Sequence, residues 1–185
     1  MTEQTKAGRF REVVLVHLDA AYNLARWLSR SDTDAEDIVQ DACLRALRSF
    51  DGFRGDSARP WLLAIVRNAT YDWLRQNRKG AQEEPYDEEF HGGLDTVSFA
   101  AADTPGPEAK LERAELRRQI DDALARLPVA FREVVVLRDI EDLSYREIAD
   151  VAQIPIGTVM SRLARGRRLL MTYLAQSKSG VRDGA

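Results

Sequence analysis

The chain is 185 residues long and 44% hydrophobic, enough to bury a core in one domain or in two small ones. It carries 27 Lys and Arg against 30 Asp and Glu, for a formal charge of −3, and its single Cys43 excludes an internal disulfide and a zinc cluster. No apolar run approaches a membrane span and the N-terminal MTEQTKAGRFRE lacks the apolar core of a signal peptide, so a soluble cytoplasmic protein without membrane insertion is expected.

Taken in order, Phe10 to Leu28 reads as one helix with Val14, Leu18, Ala21, Ala25 and Leu28 on a single face. The polar run SRSDTD breaks it. Thr33 with Glu36 has capping-box spacing and opens a second helix to about Ser49, in which Ile38, Ala42 and Ala46 point inward. Asp34, Asp37 and Asp41 line another side of that helix, with Gln40 nearby. Acids in the first turn suit the helix dipole, but Asp41 lies beyond it, and a docking face for a basic partner competes with that reading.

FDGFRGDSARP is a Gly-containing loop bearing Phe50, Phe53, Arg54 and Arg59; it ends at a helix start with Ser57 as N-cap and Pro60 in the first turn. PWLLAIVRNATYDWLRQNRK is then helical throughout, with Leu62, Ile65, Val66, Ala69 and Trp73 as its apolar stripe. Arg67, Asn68, Tyr71, Arg75, Arg78 and Lys79 lie elsewhere on it. Cations mixed with an aromatic and an amide suit unpaired DNA, since stacking a base on an aromatic is worth roughly 1–3 kcal/mol, comparable to the cost of unstacking it. Simple burial is the competing reading for each aromatic.

From Gly80 to Ala109 there is no Lys or Arg and there are eight acids: Glu83, Glu84, Asp87, Glu88, Glu89, Asp95, Asp103 and Glu108. With Gly92-Gly93, Pro85, Pro105 and Pro107, residues 80–107 read as a flexible acidic linker. As a free coil it would average roughly 30 Å and could hold two domains well apart. Helical patterning resumes at Glu108, with Leu111, Leu116, Ile120, Leu124 and Leu127 inward and Pro128 ending the helix. Val129 to Asp139 follows, with Phe131, Val134, Val135 and Leu137 as its apolar residues.

Leu143 to Tyr173 reads as two short helices joined by a tight turn. Ser144 and Glu147 form a capping box, and Ile148, Ala149 and Val151 supply the inner side of the first helix. Ala152-Gln153-Ile154 is the turn, and Pro155 suits the start of the second helix, where Val159, Leu163, Gly166 and Leu170 recur inward. Its other face carries Thr158, Ser161, Arg162, Arg165 and Arg168, and no acid occurs from Ile156 to Ser177. Such a helix suits phosphates and base edges, while a solvated basic face is the plainer alternative. No catalytic set is visible around His17 or His91 and no phosphate-binding glycine loop occurs, so neither enzyme chemistry nor a cofactor or metal is expected.

The succession DAEDIVQDACLRAL, FDGFRGDSARPWLLAIVRNATYDWLRQNRK, a linker, and LARLPVAFREVVVLRDIEDLSYREIADVAQIPIGTVMSRLARGRR resembles the extracytoplasmic-function group of bacterial sigma-70 factors, from about Phe10 to Tyr173. The resemblance implies an all-α chain with two small helical domains, residues 10–79 and 108–177, joined by the acidic linker. The first would dock on core RNA polymerase and open the promoter −10 element, and the second would read the −35 element. Asp34, Asp37, Ile38, Gln40 and Asp41 match the polymerase-docking block. Phe53, Arg54, Trp61, Arg67, Asn68 and Asp72 match the −10 block, to which Arg59, Tyr71 and Arg75 add cationic and stacking groups. Gly157, Thr158, Ser161, Arg162 and Arg165 match the −35-reading helix, and Arg168 extends its basic face.

Two positions depart from that pattern: Gln153 stands where the family usually has Gly, and Pro60 precedes Trp61 in place of a polar residue. The resemblance also implies an anti-sigma factor as partner, and it suggests that the linker carboxylates imitate phosphates inside polymerase channels, against the plainer reading of a solvated spacer. A free-standing helix-turn-helix regulator would leave the Asp34–Asp41 and Phe50–Lys79 blocks unexplained. A sigma-like decoy that binds a regulator instead of DNA would be expected to lose the exposed arginines.

Overall fold

The computed structural model describes residues 3–55, 57–77 and 107–180, and all regular structure among them is helical. The expected linker lies outside the described residues, except for Pro107, which opens a helix.

The N-terminal half contains α1 (Glu3–Val13), α2 (Leu18–Ser29), α3 (Asp32–Ser49) and α4 (Ala58–Asn77). Helices α2, α3 and α4 pack on one another as a three-helix bundle. Alanines make this close packing possible: Ala21 and Ala25 of α2, Ala35, Ala42 and Ala46 of α3 and Ala69 of α4 are all buried, with Leu24, Leu28, Ile38, Leu62, Leu63 and Val66 filling the space between.

The single helix expected over Phe10 to Leu28 is divided. The chain tightens into a 3-10 turn at Leu15–His17, between α1 and α2. No Gly or Pro marks the break. Its cause is tertiary: Phe10 meets Phe50 edge to face at 5.3 Å, and Lys6 Nζ reaches Asp51 at 2.6 Å. These contacts turn α1 toward the end of α3 and bury Val14 at the bend.

The capping box expected at Thr33 and Glu36 is also corrected. Arg30 closes α2 in the left-handed conformation, with φ 62°, and donates its N–H to the Arg26 carbonyl. Ser31 is then extended and becomes the N-cap of α3, its hydroxyl accepting the Asp34 N–H at 3.3 Å. In α4 the buried face is wider than the stripe read from spacing. Leu63, Thr70 and Leu74 join it, while Ile65 and Trp73 are only partly buried, because α2, α3 and α7 all pack on this helix.

The C-terminal half contains α5 (Pro107–Arg126), α6 (Val129–Val135), which continues as a π-helical turn over Val136–Ile140, α7 (Tyr145–Ala152) and α8 (Ile156–Gly180). Phe131, Val134, Val135, Leu137, Leu143, Ile148, Val151, Val159 and Leu163 form its core. Leu116, expected inward, is 46% exposed; among the described side chains of α5 only Ala123 and Leu124, in its last turns, are buried, with Leu127 just beyond, and Leu111 lies outside them. Gly166 lets α8 lie against α6, since a Cβ there would come within 2.9 Å of Val135 Cγ2 and 3.3 Å of Phe131 Cβ.

The two halves are packed together, with α4 against α7 and α2 against α6. Arg132, buried in α6, donates to the Trp27 carbonyl at 2.8 Å and to the Leu127 carbonyl at 2.9 Å, so one guanidinium satisfies backbone acceptors of both halves.

Candidate nucleic-acid and polymerase interfaces

Helix α3 presents Asp37, Gln40 and Asp41 as an exposed stripe, and Asp34 is half-buried in its first turn. Asp41 is paired with Arg45 at 2.7 Å, and Arg45 also reaches Asp72 of α4 at 2.9 Å. That second contact ties the stripe to α4. Hydrogen bonds from Arg45 and then Arg75 hold the Asp72 carboxyl below its ordinary range. Ile38, counted with the docking block, is 3% exposed, and supports the stripe from the core. Leu44 lies one turn beyond Gln40 and Asp41 and is exposed, an apolar addition to the stripe that charge pattern alone had not marked.

At the start of α4, Phe50, Phe53 and Trp61 form an aromatic triangle: Phe53 lies nearly parallel to Phe50 at 6.0 Å and tilted by 44° against Trp61 at 4.8 Å, while Phe50 and Trp61 are 6.3 Å apart. Phe50 is buried, whereas Phe53 and Trp61 remain partly open. Arg54, Asn68 and Arg75 are exposed, Arg75 pairing with Asp72. The rest of the expected −10 set turns toward the C-terminal half. Arg59 binds Glu141 at 2.6 Å, Arg67 Nε donates to Glu133 at 2.5 Å, and the Tyr71 hydroxyl donates to the other Glu133 oxygen at 3.1 Å.

Glu133 is fully buried, and burial pushes its carboxyl pKa up against the opposing pull of Arg67, Tyr71 and Arg162. Burial raises Tyr71 too, and the neighbouring Glu133 carboxylate adds to it. Glu133 and Glu141 were missed in the sequence. Glu133 had a visible signal, an acid inside the apolar run VAFREVVVL; Glu141 had none.

The helix-turn-helix is present, but its second helix is not short: α8 runs for 25 residues, past the expected end at Tyr173, to Gly180. Ser144 and Glu147 make both capping-box bonds, the Ser144 N–H donating to Glu147 at 2.8 Å and the Ser144 hydroxyl accepting the Glu147 N–H at 3.3 Å. Gln153 takes the left-handed turn at φ 55°, and Pro155 stands just before α8. Gly157 and Ser161 are exposed and Thr158 is half-buried at the N-terminal end of α8. Arg162 and Arg165 are half-buried, Arg165 lying 5.9 Å from the Phe131 ring, and Arg168 is exposed farther along. Arg167, on the other side, is bidentate to Asp139. Exposed Met160 and Ile156 share the N-terminal end with the polar groups.

Among the described residues, no helix is long and apolar enough to cross a membrane, and no group of three or more His, Cys, Asp or Glu is placed to hold a metal ion.

A helix-turn-helix braced by two further helices, following a three-helix bundle with an acidic stripe, defines a class of helical proteins built to meet nucleic acid. Residues 13–80 match the family described as Sigma-70 region 2, and residues 117–170 match Sigma-70, region 4. The ECF RNA polymerase sigma factor SigE of Mycolicibacterium smegmatis is 35% identical over 186 residues, covering 99% of this chain and 68% of the relative. The ECF sigma factor SigW of Bacillus subtilis is 34% identical over 178 residues, covering 93% and 94%. Among solved structures, the sigma factor RpoE of Bartonella quintana, in complex with the anti-sigma factor NepR, superposes with a TM-score of 0.65 at 26% identity over 90% of this chain and 97% of that one. CnrH, in complex with the cytosolic domain of CnrY, gives 0.62 at 27% identity over 94% of each chain. The chain belongs to the extracytoplasmic-function sigma factors of the sigma-70 family.

Proposed function

We propose that the chain is a dissociable initiation subunit that works in the cytoplasm, gives core RNA polymerase its promoter specificity and catalyses no reaction itself. Asp34, Asp37, Gln40 and Asp41 dock on polymerase, with Ile38 shaping their helix from behind. Phe53, Arg54, Arg59, Trp61, Arg67, Asn68, Tyr71 and Arg75 grip the −10 element as its strands part. The N-terminal end of α8, with Gly157, Thr158, Ser161, Arg162 and Arg165, enters the major groove of the −35 element, and Arg168 takes a phosphate. An anti-sigma factor restrains the chain, by analogy with RpoE, solved with NepR, and CnrH, solved with CnrY. Residues 10–79 and 108–177 are the two working domains.

The observation that carries this reading is the pairing, in one chain, of an exposed acidic stripe on α3 with an acid-free, arginine-bearing second helix of a helix-turn-helix. A free-standing regulator needs only the second.

The test is run-off transcription with bacterial core polymerase over a library of upstream sequences. Arg162→Ala with Arg165→Ala is expected to lower −35-dependent initiation about 10- to 100-fold while core-polymerase binding persists, as for the loss of one or two base contacts. Asp37→Ala with Asp41→Ala is expected to do the reverse. Loss of both activities in either folded variant defeats the division of labour, and sequence-specific gel shifts without any polymerase-dependent transcript point to a regulator instead.

A further inference from the structure

Two buried carboxylates of the C-terminal half end on polar groups of the N-terminal half. Glu133 takes Arg67 on one oxygen and Tyr71 on the other, and Glu141 takes Arg59 at 2.6 Å and Asn23 Nδ2 at 3.1 Å. Joining the halves did not require charge. Apolar side chains of similar size hold an interface at least as well as a buried ion pair, because desolvating two charges offsets most of their attraction.

The choice of groups is informative. Each arginine meets one carboxylate oxygen, and such an oxygen is an anionic acceptor of the kind that a phosphate oxygen also offers. Arg67 also lies over the Tyr71 ring at 4.4 Å, so the ring face on which a base would stack is covered. The Arg67 side chain keeps only 16% of its surface open, whereas Arg54, Asn68 and Arg75 of the same set remain exposed. Arg162, on the recognition helix, lies near enough for its charge to act on Glu133.

We propose that Glu133 and Glu141 are internal stand-ins for promoter phosphates: in the free chain they occupy Arg67, Tyr71 and Arg59, and the chain cannot grip −10 DNA until the two halves part. The inference rests on the proposed −10 role of those three residues. It makes DNA binding by the free chain weak by construction, since the apparent affinity falls with the fraction of molecules whose site is open. Polymerase, by engaging the two halves at separate places, would supply the work of opening.

The experiment uses the full chain. Glu133→Gln with Glu141→Gln keeps shape and removes both charges, and circular dichroism checks that the helices persist. Small-angle scattering is expected to show the radius of gyration rising from the ~16 Å of a compact chain of this length toward 20 Å or more. A fluorescein-labelled single-stranded oligodeoxynucleotide is expected to bind at least about tenfold more tightly, as for a competent fraction raised from a tenth or less toward unity. Glu141→Gln alone, which releases only Arg59 and Asn23, should give a smaller gain of about threefold and serves if the double variant does not fold. A folded variant that neither expands nor gains affinity overturns the clasp and leaves the −10 assignment standing. Arg67→Ala tests that assignment separately, since it should open the free chain yet slow promoter opening by the holoenzyme. Undiminished opening by that holoenzyme removes Arg67 from the promoter site and overturns the competition.

Discussion

Gln153 is one of three non-glycine residues with positive φ among the described residues, with Arg30 and Asp142. Its φ of 55° and ψ of 46° place an L side chain in the left-handed region, where the Cβ crowds the following carbonyl at about 1–2 kcal/mol. Its N–H still closes α7 by donating to the Ala149 carbonyl, so the turn keeps its shape and absorbs the strain. Gln153→Gly is therefore expected to stabilise the protein by about 0.5–1 kcal/mol, the relief being reduced by the added freedom of glycine when unfolded. Urea denaturation checks it, and an unchanged or lower midpoint would mean that the side chain's own contacts outweigh the strain. Ile38 and Asp72 teach a related lesson. A residue that matches a motif block need not be exposed or free: Ile38 is buried beneath the acidic stripe of α3, and Asp72 is paired with Arg45 and Arg75.

At the scale of the element, α7 is only eight residues long and depends on its ends. Ser144→Ala is expected to cost about 1 kcal/mol, since it frees a backbone N–H that the hydroxyl had satisfied. The effect should depend on pH. The Ser144 backbone N–H, then its hydroxyl, holds the Glu147 carboxyl below its ordinary 4.5. A carboxyl depressed in the folded state contributes stability that is fully present above the unfolded value and is lost as pH falls through the folded one. Thermal melts should therefore show the difference between wild type and Ser144→Ala constant from pH 6 to 8 and shrinking below about pH 4. An equal difference at pH 3 and pH 7 would mean that Glu147 plays no part in the cap.

For the whole molecule, the deciding feature is that the halves meet. Arg132 binds them through two backbone carbonyls, a contact separate from the glutamates that reach Arg59 and Arg67. Arg132→Ala leaves both carbonyls without that donor in a buried place, and is expected to cost roughly 2–4 kcal/mol. By calorimetry the wild-type halves should melt together and those of the variant apart. A single, merely lowered transition would show that the remaining contacts still couple them.

Much of this was legible in the residues. The all-helical character, the capping box at Ser144, the turn at Ala152–Ile154 and the inward Val159, Leu163 and Gly166 all follow from local spacing and backbone chemistry, which short stretches of chain carry within themselves. The acidic stripe on α3 and the arginine face of α8 were visible for the same reason. The bend at Val14, the widened buried face of α4 and the exposure of Leu116 were not, because each depends on a helix far away in sequence. The pairing of Arg59 and Arg67 with glutamates 82 and 66 residues later belongs to the same kind. The N-cap at Ser31 is local, set by the left-handed Arg30 just before it. Local pattern determined which groups this chain has to offer to polymerase and DNA. Tertiary packing alone decided which are presented and which are held, because burial and ion pairing are settled by neighbours in space.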